Sequence, residues 1–150
     1  VQAGHCISGH LTGCRGVTHI FNAMSGIPHR GVSTALSALI NDSIYTEVIG
    51  DGVHVSDDAL KLVFRMKPAE KVILISDSLP ITKSNLNEMI FSDSKVYYDG
   101  VRATTKEGTI AGSTALLPDI IKRLHSVKLS IHRKSLQISQ YCPSGIYRMG

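Results

Sequence analysis

Short apolar runs alternate with amphipathic stretches along most of the chain, which indicates strands that alternate with helices. The runs Gly16–Phe21, Thr46–Ile49 and Lys71–Ser76 predict buried strands. Several consecutive apolar residues, many of them β-branched, suit the interior of a parallel sheet. The third run is the clearest, because its centre is Val-Ile-Leu-Ile without a polar interruption.

Helical spacing separates and follows these runs. Apolar residues recur every three or four positions in Gly31–Asn41, and again after Ser56, which is suited to cap a helix that ends before Pro68. Further helices are predicted at Thr114–Leu124 and, from a weaker pattern, at Ser130–Tyr141.

One segment departs from this alternation. Val96–Tyr98, a turn at Asp99-Gly100 and Val101–Thr104 predict a β-hairpin. The rest of the pattern predicts an α/β fold of parallel β/α units, of the kind that builds a closed (β/α)8 barrel of the TIM type. The chain is expected to contribute three or four of the eight strands, so that the barrel is partial.

Composition narrows the function class. The chain is 43% hydrophobic and 19% charged, with a net charge of +4, which is typical of a globular domain rather than a disordered segment. Basic residues form no stripe interleaved with aromatic residues, so nucleic acid is not expected as a partner. The three cysteines have no paired spacing, and the N-terminus does not resemble a leader, so we expect the cytoplasm. No apolar run reaches membrane-spanning length, so no membrane partner is expected.

Polar residues follow the predicted strands, where a β/α barrel places its chemistry. His5, flanked by Gly4, and His19, within an apolar run, are candidate metal ligands, although a lone histidine in a strand is usually a core residue. Asp77, at the end of a buried strand, suits general acid/base catalysis or a turn. The turn before His54 is equally consistent with a simple connection.

Two further elements could hold an anion. The small residues of 108–113 precede a predicted helix, where backbone N–H groups approach a ligand closely, although a plain tight turn explains them as well. Arg30 is suited to a pair of phosphate oxygens, although a solvated loop arginine is the more frequent case.

The order and spacing of these elements are more specific than any one of them. The chain resembles the N-acetylglucosamine-6-phosphate deacetylases, which are metal-dependent amidohydrolases, in its C-terminal half. The resemblance lies in Thr-His-Ile-Phe-Asn-Ala-Met at 18–24, His-Arg at 29–30, Asp-Gly-Val-His at 51–54, Ile-Ser-Asp at 75–77 and Gly-Thr-Ile-Ala-Gly-Ser at 108–113.

The resemblance implies a role for each matching position. Residues 1–150 would be the C-terminal portion of an amidohydrolase barrel, with the hairpin as an insertion at about 93–106. A divalent metal, zinc or iron, would be held by His5 and His19, and Asp77 would be the catalytic acid/base. The substrate, an amino-sugar phosphate, would contact Asn22, Ala23, Arg30, His54, Ile110, Ala111, Gly112 and Ser113. A homodimer is a reasonable expectation.

Some features depart from the family. No segment matches its glutamate ligand, and the interval from His5 to His19 is short, so that His10 is an alternative second ligand. The chain does not start with Met, and we expect a partial product that deacetylates little by itself. Two other functions remain open, namely a non-catalytic protein that binds a sugar phosphate and an amidohydrolase that acts on another amide.

Overall fold

The computed structural model describes residues 1–6, 9–129 and 137–138, and it contains two sheets and three helices in those residues. The helices are α1 (Thr34–Ile40), α2 (Asp57–Met66) and α3 (Leu117–Ser126), with a short 3-10 helix at Ala69–Lys71. The strands are β1 (Gln2–Ala3), β2 (Gly16–Val17), β3 (Tyr45–Ile49), β4 (Val72–Ile75), β5 (Glu88–Phe91), β6 (Ser94–Tyr98), β7 (Ala103–Thr105), β8 (Ile110–Gly112) and β9 (Gln137–Ile138).

The first sheet is parallel throughout, with strand order β1-β2-β3-β4-β9. Each strand therefore lies beside the next parallel strand of the chain, as in the wall of a β/α barrel, without the reversal of order that marks a doubly wound sheet. The predicted parallel β/α units are confirmed. The parallel strands are five rather than three or four, because two-residue strands such as β1 leave no periodic pattern in the sequence.

The second sheet is antiparallel, with order β5-β6-β7-β8, and lies between β4 and α3 in the chain. The predicted hairpin is confirmed as β6 and β7, which pair Tyr98 with Ala103 across the turn. It is part of a larger sheet, since β5 and β8 extend it on both sides. Its own small core contains Leu79, Ile81, Val96 and Ala103.

Helix α2 forms where its sequence predicts it. Ser56 caps its first turn by accepting a hydrogen bond from the backbone N–H of Ala59, and Asp57 and Asp58 lie at the positive end of the helix dipole. Its apolar residues Leu60 and Val63 are buried in the core cluster between the helices and the parallel sheet. This packing fixes the loop between β3 and α2, which carries part of the candidate site.

Two predicted boundaries are wrong. The strand predicted at Gly16–Phe21 ends at Val17, because His19 and Phe21 adopt positive φ angles of 30° and 76° that no strand permits. The helix predicted at Ser130–Tyr141 is contradicted at Gln137–Ile138, which form β9 and pair with β4. The remainder of that prediction lies outside the described residues.

Candidate functional site

Loops that follow β1, β2, β3 and β4 bring the predicted residues to one edge of the parallel sheet. His5 and His19 follow β1 and β2, and the Nε2 atoms of the two rings are 3.1 Å apart. Their ring planes are inclined at 72°, with centroids separated by 4.8 Å. His19 is buried, whereas His5 is exposed, so the pair lies between the core and the surface. His10, the alternative partner, is exposed, and no hydrogen bond or ring contact joins it to His19 in the described part of the chain.

The imidazole pair fits two ligands of one divalent ion. Two nitrogens bound tetrahedrally to zinc at its usual distance would be about 3.3 Å apart, close to the separation observed here. The Nδ1 atom of His19 is buried and has no hydrogen-bond partner among the described residues, although a ligating histidine normally donates from its other nitrogen. Within residues 1–6, 9–129 and 137–138, no three His, Cys, Asp or Glu side chains are grouped around one point.

The loop that carries His19 is held by its own polar groups. The Asn22 side chain donates hydrogen bonds to the backbone carbonyls of His19 and Ile20, each at 3.2 Å. Below the loop, Thr18 donates to the buried Glu47 of β3 at 2.5 Å, and the Ile20 amide donates to the Glu47 carbonyl at 2.8 Å. Asn22 therefore has a local structural role besides the substrate contact that the resemblance implies.

Positive φ angles recur at the predicted site residues. His5, His19, Ala23 and Asp77 have φ values of 53°, 30°, 49° and 48°. Such conformations are uncommon for residues other than glycine and cost on the order of 1–3 kcal/mol each, and they cluster at functional sites. Positive φ also occurs in turns elsewhere, as at Ser92 between β5 and β6, so these conformations do not by themselves mark the site.

Asp77 follows β4, and its side chain is exposed. Its carboxylate makes no hydrogen bond to other described residues, whereas its backbone carbonyl accepts one from the Ser113 amide at 2.9 Å. An exposed, unpaired carboxylate at the carboxyl edge of the sheet is free to exchange a proton with a ligand.

A second cluster joins His54 to Ser113 through Asp51, which the sequence suggested only as a turn residue. Asp51 Oδ2 lies 2.7 Å from His54 Nδ1 and accepts a hydrogen bond from the Ser113 hydroxyl at 3.1 Å. Asp51 Oδ1 accepts from the backbone amides of Val53 and His54, both at 2.9 Å. The spacing of Asp51 and His54 fits their local contact, but nothing in the sequence indicates the contact with Ser113, 62 residues away.

The environment of Asp51 favours its charged form. Burial raises the pKa of this carboxyl, but the hydrogen bonds from the His54 ring and from the backbone amides of His54 and Val53 lower it by more, so that it lies below its usual value of 3.8.

This shift predicts a loss of stability in acid. Because the folded-state pKa is depressed, the contribution of Asp51 is present above the unfolded pKa and is lost as the pH falls through the folded value. We expect the free energy of unfolding from urea titrations to decrease between about pH 5 and pH 2, and to decrease less in Asp51→Asn. Asp58→Asn is the matched control, because it removes an exposed carboxylate whose pairing with Lys61 is screened by solvent and should have a smaller effect. Equal pH profiles of wild type and Asp51→Asn would contradict this prediction.

Other predicted residues are not drawn into a contact. Ala23 and Arg30 are exposed, and Arg30 lies four positions before α1 without a hydrogen bond to other described residues. Ile110, Ala111 and Gly112 form β8 rather than a turn at a helix N-terminus, and α3 begins only at Leu117. Within this segment Ser113 faces the Asp51 cluster, while Ile110 is 38% exposed on the antiparallel sheet.

No helix in the described part of the chain is both long and apolar enough to cross a membrane.

Comparison with known proteins gives a consistent result. No family model matches the chain. It is 38% identical over 101 residues to the N-acetylglucosamine-6-phosphate deacetylase of Bacillus subtilis strain 168, an alignment that covers 67% of this chain and 26% of the relative. It is 31% identical, with the same coverage, to the N-acetylgalactosamine-6-phosphate deacetylase of Shewanella sp. strain ANA-3.

The structural comparison agrees. The crystal structure of N-acetylglucosamine-6-phosphate deacetylase from Thermotoga maritima superposes with a TM-score of 0.74 at 27% identity, over 79% of this chain and 32% of that one. The chain thus spans about a quarter to a third of the length of these relatives. The resemblance predicted from the motifs is confirmed for that part of the deacetylases.

Proposed function

We propose, from its homology to part of the N-acetylglucosamine-6-phosphate deacetylases, that this chain supplies the metal-binding and acid/base portion of such a hydrolase. The reaction would convert N-acetylglucosamine 6-phosphate into glucosamine 6-phosphate and acetate. The observation that carries the proposal is the His5–His19 pair at the same sheet edge as Asp77, in a chain whose relatives are named for this activity. The chain would form the C-terminal strands of a (β/α)8 barrel and would act in the cytoplasm, with a homodimer as an expected assembly.

The histidine pair supports a divalent metal, zinc or iron, as the cofactor. His5 and His19 would hold the ion through Nε2, and at least one further ligand would have to come from outside the described residues. When bound, the ion would lower the pKa of water and polarise the amide carbonyl. The buried His19 would keep its proton on Nδ1, because Nε2 is the atom that faces His5.

Asp77 would carry the proton transfers of the reaction. Its carboxylate would accept a proton from the water that attacks the acetyl carbon, and it would return this proton to the nitrogen of the departing amine. One carboxylate serves both steps, since the proton is taken up before it is released. The exposed position of Asp77 after β4 leaves it accessible to both reacting groups.

The sugar phosphate would be bound beside the metal. Arg30 would contact the phosphate because a guanidinium donates two parallel hydrogen bonds to an anion. Asn22, Ala23, His54 and the 110–113 segment would contact the sugar and its acetamide. The Bacillus subtilis relative is named for N-acetylglucosamine 6-phosphate and the Shewanella relative for N-acetylgalactosamine 6-phosphate. The test therefore compares the binding of both sugar phosphates.

Metal retention tests the proposal first. The wild-type chain, titrated with zinc or with ferrous iron, is expected to bind about one ion per chain. His19→Ala is expected to weaken binding by at least about tenfold, because it removes a direct ligand. His10→Ala is the matched control and should bind the ion as wild type does, since among the described residues no hydrogen bond or ring contact joins His10 to the pair. Loss of metal in His10→Ala but not in His19→Ala would contradict the assigned ligands.

The same samples are then titrated with N-acetylglucosamine 6-phosphate and assayed for acetate. Binding that needs the phosphate and weakens in Arg30→Ala supports the proposed substrate, with the galactosamine epimer run in parallel. Acetate release that disappears in Asp77→Asn, with metal retained, would identify a working hydrolase. Ligand binding that persists after chelation, without acetate release, would favour the non-catalytic alternative. No binding of either sugar phosphate would contradict the proposal.

A further inference from the structure

Asp51 uses both of its carboxylate oxygens, and the four donors come from two distant parts of the chain. Oδ1 is filled by the amides of Val53 and His54, which form a local turn. Oδ2 is shared by the His54 ring and by the hydroxyl of Ser113 beyond β8. A turn residue needs only the first pair of bonds, so the second pair calls for another explanation.

The bond to the ring determines which nitrogen of His54 carries the proton. A carboxylate only accepts hydrogen bonds, so His54 Nδ1, at 2.7 Å from Oδ2, must be the donor. The other ring nitrogen, Nε2, then has a lone pair when the ring is neutral. The Asp51 and His54 side chains are only 5% and 6% exposed, and the His54 amide binds the same carboxylate, so ring rotation would break a buried charged hydrogen bond.

Ser113 ties this unit to the loop after β4. Its hydroxyl donates to Asp51 and accepts from the Ala115 amide at 3.0 Å. Its backbone amide donates to the carbonyl of Asp77, and its carbonyl accepts from the amide of Leu79, both at 2.9 Å. Asp51 therefore connects the segment that follows β3 with the segment that carries the proposed acid/base.

We propose that Asp51 is a positioning residue that holds the His54 imidazole as its Nδ1–H tautomer and aims the Nε2 lone pair at a hydroxyl of the bound sugar phosphate, with Ser113 fixing the carboxylate. This inference rests on the proposed function for the identity of the ligand. The geometry of Asp51, His54 and Ser113 stands independently of it.

Histidine-selective 15N NMR tests the geometry directly, without substrate. In spectra recorded at about pH 9, the wild-type His54 is expected to be protonated at Nδ1, with the resonance assigned from its loss in His54→Gln. In Asp51→Asn the amide would donate to Nδ1, so the proton is expected to move to Nε2. Ser113→Ala is the matched control, because it leaves the bond between Asp51 and His54 in place, and should keep the Nδ1–H tautomer.

Two results would overturn the proposal. The first is a wild-type His54 protonated at Nε2, a measurement that does not depend on whether any variant folds. The second is Asp51→Asn binding N-acetylglucosamine 6-phosphate as tightly as wild type, since we expect about a tenfold loss of affinity. A wild-type chain that binds no sugar phosphate would contradict the proposed function. The NMR measurement of the His54 tautomer would still test whether Asp51 holds the ring in the proposed orientation.

Discussion

Gly52→Ala is expected to lower the free energy of unfolding by about 2–4 kcal/mol, as measured by urea denaturation. Gly52 has a φ of +79°, which strains any residue with a Cβ atom. A Cβ atom there would also lie 2.5 Å from Cζ of Arg123. That guanidinium cannot move freely, because it pairs with Asp57 at 2.5 Å and donates to the Gly50 carbonyl at 3.3 Å.

Gly108→Ala is the control that separates the two causes. Gly108 has a similar φ of +84°, but a Cβ atom there would meet nothing within 4 Å. In Gly108→Ala the free energy of unfolding should decrease only by the cost of backbone strain, about 1–2 kcal/mol. Equal decreases in the free energy of unfolding in Gly52→Ala and Gly108→Ala would mean that Arg123 moves aside without cost. The close contact between Gly52 and Arg123 would then contribute nothing to stability.

Leu124→Ala is expected to destabilise the chain by about 2–5 kcal/mol, because it removes a fully buried side chain and leaves a cavity. Leu124 lies on α3 directly against Gly50, the residue before Asp51, so the cavity would open beneath the candidate site. The midpoint and slope of urea denaturation measure the effect.

Ile90→Ala is the matched substitution for Leu124→Ala, since Ile90 is 74% exposed on the antiparallel sheet. It should change stability by no more than about 0.5 kcal/mol. A comparable loss at both positions would show that Ile90 is covered by something outside the described contacts, and a small loss at Leu124 would show that the core collapses around the missing atoms.

Local patterns predicted the regular elements well where the pattern was long. The apolar run of β4 and the capped, amphipathic α2 both formed close to their predicted bounds. Short strands were missed or replaced, since the two residues of β9 carry no periodicity and were predicted as part of a helix. Pairing with β4, a contact between residues more than 60 positions apart in the chain, decides the conformation of Gln137–Ile138.

The candidate site was predictable to the extent that it depends on order along the chain. His5 and His19 follow neighbouring parallel strands, and the sequence motif placed both at the same edge. The positive φ angles of His19 and Asp77 could not be predicted, because neither residue type demands them. Asp51 was underestimated for a different reason, since its bond to Ser113 depends on how the second sheet returns to the first.

The antiparallel sheet leaves and rejoins the rest of the molecule at one point. The amide of Ser113 binds the carbonyl of Asp77, and Ser78 forms a parallel bridge with Ser113. Once this base has formed, the ends of the segment of about 35 residues are already held together. The later docking of α3 and β9 beside β4 then carries no further entropic cost for closing that segment as a loop. A shorter or longer hairpin beyond the base should therefore change the rate at which β9 pairs with β4 only slightly.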